Sequence, residues 1–232
     1  MKKLKAVSVL SGLFILFIIL FGGCGEDSVN NSNGNGNGDN LSMSVKTDNS
    51  ATNPTEIIID EAKALITEVE LEQEPSGQEQ HLRIEPFVIH FNMDGTLITV
   101  TSGNIPSGNY NKIKFKIHKP EDNETPPDPE FKEGTSGNQR YSFIIKGRFN
   151  GNSFIYKSRK SANLVVNFPS PINFQQEGNI TILINPSLWF KNGSVVIDPR
   201  NPSNENIIDD NLKNSFKRAF KDDDRNGLPD DN

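Results

Sequence analysis

Between Leu41 and residue 198 apolar positions recur at every second residue, the period of a strand with one buried and one wet face. Phe87, Ile89, Phe91 and Met93 alternate with Val88, His90 and Asn92. Ile113, Phe115 and Ile117 alternate with Lys112, Lys114, Lys116 and His118. Tyr141, Phe143, Ile145 and Phe149 share one parity, and Phe154 and Tyr156 continue beyond Asn150-Gly151. That dipeptide predicts a two-residue hairpin turn, because both positions need positive φ. Leu164, Val166 and Phe168 form a further stripe, and Ile180, Ile182 and Ile184 another that leads to Trp189-Phe190. Residues 57–59 and 62–71 predict one long kinked strand or two, 97–100 follows an Asp94-Gly95 turn, and 195–197 is a last short strand. Eight to ten such strands predict an all-β fold, an antiparallel β-sandwich over residues 41–200.

After Asp198-Pro199 the period changes. Ile208, Leu212, Phe216, Ala219 and Phe220 recur at steps of three and four, which predicts an amphipathic α-helix over 201–221 with Ser203 or Asn204 as N-cap. Glu205, Asp209 and Asp210 near its start and Lys213, Lys217, Arg218 and Lys221 near its end suit the helix dipole. Its apolar face is expected to dock on the sandwich; the alternative is a partner-binding helix.

The N-terminus has a different pattern. Lys2, Lys3 and Lys5 precede an apolar run, dense from residue 13 to 21, that closes on Phe21-Gly22-Gly23-Cys24. A basic start, an apolar stretch and small residues at a cut describe a secretory signal. Because the small residues lead directly into the chain's single cysteine, the segment resembles a bacterial lipoprotein signal with its lipobox. The resemblance implies cleavage after Gly23 and lipid on Cys24, with Phe21 standing where the family usually carries Leu. An uncleaved transmembrane anchor is the alternative, though Ser8, Ser11 and Gly12 dilute the roughly 20 apolar residues a span needs. Residues 24–40 are expected to be the lipidated cysteine and a flexible Asn/Gly/Ser tether, whose 16 residues after Cys24 would span roughly 20–24 Å.

Loss of residues 1–23 leaves 209 of 232 residues, lowers Lys+Arg from 24 to 21 against 30 Asp+Glu, and takes the net charge from −6 to −9. An acidic body does not suit a nucleic-acid partner, which calls for clustered Lys and Arg. With Cys24 lipidated, no cysteine is left for a disulfide, a thiolate nucleophile or a Cys-based zinc site. Stability must come from a hydrophobic core, to which Phe, 15 in the chain, and the strand Ile and Val contribute.

Candidate chemistry concentrates at 222–232. Read from Asp222, the sequence fits D-x-D-x-N-G-x-x-D. Ca²⁺ takes six to eight oxygens, so carboxylates on alternate loop residues can converge on it, with glycine at the sixth place for the turn. Asp222, Asp224, Asn226 and Asp230 would offer side-chain oxygens and Leu228 its carbonyl. The segment resembles the calcium loops of thrombospondin type 3 repeats, including their Gly-x-Pro-Asp step, and more loosely an EF-hand loop. Those families place a closing carboxylate at a twelfth position, which lies beyond Asn232. The alternative is an acidic terminus with no ion.

The other features have plain readings beside sharper ones. The acidic, Pro-rich stretch 119–139 is either a solvated loop, pinned by Phe131, or a binder of cations or a basic partner. Lys112, Lys114, Lys116 and His118 form a basic stripe, expected to pair with carboxylates on neighbouring strands. Trp189-Phe190 is either core or an aromatic platform for sugar. His81, His90 and His118 are scattered, with no spacing that brings ligands together.

Finally, the run 105–113, IPSGNYNKI, resembles a turn and strand of bacterial lipoprotein domains of unknown function of the DUF4382 kind, and the run 57–71 resembles the strand that opens such domains. The resemblance implies a transthyretin- or immunoglobulin-like sandwich over 41–198, and no activity. The expectation is a lipid-anchored protein of the bacterial cell envelope, at the outer membrane or cell surface. It would act as a non-enzymatic binding module for an unknown protein or glycan partner, with Ca²⁺ as its one candidate ion. The alternatives are an envelope glycan or peptide hydrolase, whose carboxylate pair would leave no sequence spacing, and a structural accessory subunit.

Overall fold

The structure, a computed structural model, describes residues 38–48 and 56–230. In chain order its strands are β1 (Leu41–Thr47), β2 (Ile57–Glu74), β3 (Glu79–Arg83), β4 (Phe87–His90), β5 (Ile98–Gly103), β6 (Gly108–Ile117), β7 (Phe143–Phe149), β8 (Asn152–Ser158), β9 (Ala162–Phe174) and β10 (Gly178–Ile184). The short hairpin strands β11 (Lys191–Asn192) and β12 (Val195–Val196), the helix α1 (Glu205–Asn214) and the strand β13 (Phe216–Lys221) follow. They build an all-β sandwich with one C-terminal helix. One sheet runs β13-β10-β1-β5, and the other joins β8, β7, β2, β6 and β9 with β3 and β4.

The long strand β2 organises the larger sheet. Lys63 and Ala64 pair with both β7 and β4, Ile66 pairs with both β4 and β6, and 69–72 pair with both β3 and β6. One edge of β2 therefore carries β7 and then β6, and the other carries β4 and then β3. The 57–59 and 62–71 runs are one strand of 18 residues, bent where the register shifts at Ile59/Glu61 and Ile66/Glu68. Asn150 (φ 47°) and Gly151 (φ 77°) make the expected hairpin between β7 and β8. One pairing departs from an antiparallel plan: β1 lies parallel to β10, from Leu41–Gly178 to Thr47–Ile184. A parallel pair needs a long crossover, and the whole larger sheet lies between these strands in sequence.

The core between the sheets takes the stripes read from the period. Ile113, Phe115, Ile117, Ile180, Ile182, Ile184 and Trp189 are all buried in it. Trp189 packs edge-on to Phe91, with ring centroids 5.8 Å apart, so it is core rather than a sugar platform. Tyr110 of the 105–113 motif is fully buried and donates its hydroxyl to the Pro106 carbonyl at 2.7 Å, which fixes the entry into β6.

The helix expected over 201–221 is corrected by the structure. A 3₁₀ turn at Pro202–Asn204 leads into α1, which stops at Asn214. Ser215 ends it, with both its N–H and its hydroxyl donating to the Leu212 carbonyl. Phe216, Ala219 and Phe220 belong to β13. Between Leu183 and Ile184 the register with β10 shifts, so Phe216 faces Ile184 and Ala219 faces Ile182, with one extra residue between them. An extra residue reverses the parity of a strand. Two residues three apart can then both point into the core, which is the spacing that imitated a helix.

Each sheet also has an outer face, and an acidic loop covers part of each. Residues 119–139 lie over Lys63, Leu65 and Ile144 of the larger sheet, where Phe131, Tyr141, Leu65 and Ile144 form a second small core. Residues 222–230 lie over Ser42, Ser44, Asn179 and Thr181 of the smaller one.

Candidate metal centre

The C-terminal loop leaves β13 at Asp222, whose N–H donates to the Asn179 carbonyl at 3.0 Å and so extends the β10–β13 ladder by one residue. The side chain of Asp222 is fully buried. It accepts from the Thr181 hydroxyl at 2.6 Å and from the Gly227 N–H at 3.1 and 3.3 Å. Gly227 sits at φ 77°, the left-handed region, with Lys46 so close that a Cβ would meet its ammonium at 2.6 Å. This is the glycine that the sixth place of a calcium loop calls for.

Beneath Asp222 is a buried polar network that no apolar period could reveal. Asn179 donates its amide to Thr181 Oγ1 and to the Asp222 carbonyl, and its Oδ1 accepts from Ser42 and Ser44. Arg225 donates to Ser42 Oγ at 3.0 Å and Lys46 to the Gly227 carbonyl at 3.4 Å, which clasps the loop to β1. A buried network of this kind stabilises when every member has a partner.

Three of the five expected calcium ligands come together. One carboxylate oxygen each from Asp222, Asp224 and Asp230 lies within 4.8 Å of the others. Ligands on opposite sides of a Ca²⁺ ion with bonds of 2.3–2.6 Å lie about 4.6–5.2 Å apart, so this spread fits a single ion. Asp230 is held by its N–H to the Lys221 carbonyl at 2.9 Å, and it accepts from the Asp223 N–H at 2.6 Å. Asn226 donates to Asp224 Oδ2 at 2.7 Å, and its Oδ1 accepts from the Leu228 N–H at 2.7 Å, while the Leu228 side chain is exposed. Asp231 and Cys24, like the tether up to residue 37, lie outside the described residues.

The long loop behaves differently. The Lys63 ammonium, almost fully buried, donates to Asp128 and Glu130, and Lys146 donates to both Glu130 oxygens at 2.9 and 3.0 Å. These two lysines hold the Glu130 carboxyl down to about 2. Burial pushes Asp128 up, but Lys63 and the Glu130 N–H leave it below the usual carboxylate range. Arg140 pairs with Asp122 at 2.8 Å, and Glu133 pairs with Lys157 and accepts from the Tyr141 hydroxyl. The chain's own cations thus answer these acids. The basic stripe pairs as expected in part, Lys112 and Lys114 both reaching Glu72 on β2.

One grouping was invisible to residue spacing. His81 on β3 stands beside Glu68 and Glu70 on β2, and the three could hold a metal ion. Burial raises the Glu70 carboxyl above its ordinary value, with the charges of Glu79 and Glu68 adding to it. Reading 75–78 as a hairpin turn and counting outward, with Glu72 opposite Glu79, would have placed His81 opposite Glu70.

No helix among the described residues is long and apolar enough to cross a membrane. No protein-family model matches the chain, and no curated protein matches it. The likeness to DUF4382 domains expected from residues 105–113 and 57–71 has no family-model match behind it. Among solved structures the chain is similar to MbnP from Methylosinus trichosporium, at 8% identity and a TM-score of 0.43, over 71% of this chain and 80% of that one.

Proposed function

We propose that this chain is a lipid-anchored module of the bacterial cell envelope, non-enzymatic, that binds a protein or glycan partner and is braced by Ca²⁺ at its C-terminal loop. The observation that carries the calcium part is the convergence of Asp222, Asp224 and Asp230 beneath a loop clasped to β1 and β10. Three carboxylates gathered in this way repel one another, and a divalent cation removes that repulsion. The ion's role in this reading is structural: it closes the loop over the outer face of the smaller sheet.

Anchoring rests on the signal at residues 1–24. Palmitate supplied to the producing bacterium should label the wild-type protein and not Cys24→Ser. Equal labelling of both would remove the lipid from the reading. Isothermal titration of the full chain in detergent should show one saturable Ca²⁺ site, lost in Asp222→Asn/Asp224→Asn. No heat at millimolar Ca²⁺, or binding unchanged in the double variant, would overturn the calcium brace.

A further inference from the structure

We infer that Glu68, Glu70 and His81 form a second metal site, for a borderline divalent ion of the Zn²⁺ class, separate from the calcium loop. Glu70 and His81 are direct cross-strand partners on β2 and β3. Opposite residues of an antiparallel pair share a face, and Glu68 lies two residues along that same face. The site therefore stands on paired strands rather than on a loop, a foundation that fixes ligand positions.

The distances match a tetrahedral ion. His81 Nδ1 lies 3.1 Å from Glu68 Oε1 and 3.3 Å from Glu70 Oε1. In a tetrahedral zinc site with bonds of about 2.0–2.1 Å, neighbouring ligand atoms lie about 3.3–3.4 Å apart. A proton on Nδ1 points along one axis and serves one oxygen well. A metal on the same lone pair serves both.

The neighbouring charges leave room for the ion. Lys114 stands opposite Glu70 on β6, but its ammonium goes to Glu72 and Glu79. Lys116 stands opposite Glu68, at the rim of a cavity of about 290 Å³ lined also by Glu79 and Asn163. The His81 side chain is about half exposed, at 51%, so solvent can supply a fourth ligand such as water. The donor set decides the class of metal. An imidazole nitrogen with two carboxylates suits zinc and its neighbours, whereas the oxygen set at Asp222, Asp224 and Asp230 suits calcium.

The test uses untagged full-length protein in detergent, saturated with Ca²⁺ so that the C-terminal loop is occupied. Co²⁺ is added first as a coloured reporter of geometry, and Zn²⁺ is then titrated against it. One equivalent of Co²⁺ should give the intense visible absorption of tetrahedral coordination, and Zn²⁺ should displace it. His81→Gln should weaken Zn²⁺ at least about tenfold, since even losing a partner of a ligand costs about 10–100-fold. His81 is half exposed, so that variant should fold, with an unchanged circular dichroism spectrum. Asp222→Asn should leave the Zn²⁺ affinity as it was. The inference is overturned if millimolar Zn²⁺ does not bind, if His81→Gln binds it as tightly as wild type, or if Co²⁺ gives only the faint spectrum of octahedral coordination.

Discussion

Two acidic loops cover the outer faces of the two sheets, and they handle their charge in opposite ways. In the 119–139 loop carboxylates meet cations of the chain itself: Lys63, Lys146, Arg140 and Lys157. In the 222–230 loop three carboxylates meet one another, while the nearby cations go elsewhere. Lys46 reaches the Gly227 carbonyl, Arg225 reaches Ser42, and Lys221 pairs with Asp223. Composition makes the two stretches look alike. What separates them is whether the sheet beneath offers a buried cation, as β2 does with Lys63, or neutral hydroxyls and an amide, as β1 and β10 do with Ser42, Ser44, Thr181 and Asn179. In the first arrangement the acids are neutralised by the chain's own cations; in the second the carboxylates face one another.

The largest test of this contrast removes the cation from the first loop. Lys63→Ala leaves Asp128 and Glu130 facing each other without their buried partner. Breaking a buried pair costs about 3–5 kcal/mol, and partial exposure of the two acids should bring the loss to about 3. Urea unfolding should show that loss equally with Ca²⁺ and with a chelator. A loss present in one condition alone would mean the loops are not independent. The next test adds the cation to the second loop. At a hundredfold excess over its dissociation constant, Ca²⁺ should stabilise by about 2.7 kcal/mol, a rise of roughly 5–10 °C in Tm for a chain of this size. Lys63→Ala should keep that rise and Asp222→Asn should lose it. A rise that survives Asp222→Asn would place the ion elsewhere.

A smaller pair of substitutions sharpens the comparison through its sign. Asp128→Asn removes a charged partner of Lys63 and should cost about 1–2 kcal/mol with or without Ca²⁺. Asp224→Asn removes repulsion, so with a chelator it should be neutral or stabilise by up to about 1 kcal/mol. With Ca²⁺ present the same variant should be the less stable protein. Chemical denaturation of the two variants in both conditions gives four numbers, and the sign reversal should occur in Asp224→Asn alone.

The sequence period carried most of the sandwich. Period-two stripes located the buried positions of β4, β6, β9 and β10, and Asn150-Gly151 located a hairpin, because burial on one face and positive φ are local demands. The end of the helix was not legible, since the bulge in β13 places Phe216 and Ala219 three apart on one face, as a helix would. The convergence of Asp222, Asp224 and Asp230 was legible in the D-x-D-x-N-G-x-x-D spacing because the three belong to one contiguous segment. Its support was not, since Asn179 and Ser42 come from strands far apart in sequence. Glu68, Glu70 and His81 converge through strand register, which follows from the turn at 75–78 and not from any spacing of the ligands. Lys63 reads as one polar residue in an apolar run; its partners lie more than sixty residues away.

The smallest expected effect concerns acid. Lys63 and Lys146 hold the Glu130 carboxyl at about 2, below its ordinary value of 4.5. A group whose value falls on folding binds fewer protons in the folded state, so its contribution is complete above about 4.5 and is lost as pH drops toward about 2. The Glu130 side chain is 42% exposed, and solvent screening should hold the effect to about 0.5–1 kcal/mol. Glu130→Gln should therefore flatten the fall in stability between about pH 4.5 and pH 2 and leave the neutral-to-alkaline side parallel to wild type. The buffers should contain a chelator, which keeps any ion at the 222–230 loop out of the measurement. If the acid limb of Glu130→Gln matches that of wild type, the lysines do not hold this carboxyl in solution, and the long loop would be less self-neutralised than its contacts indicate.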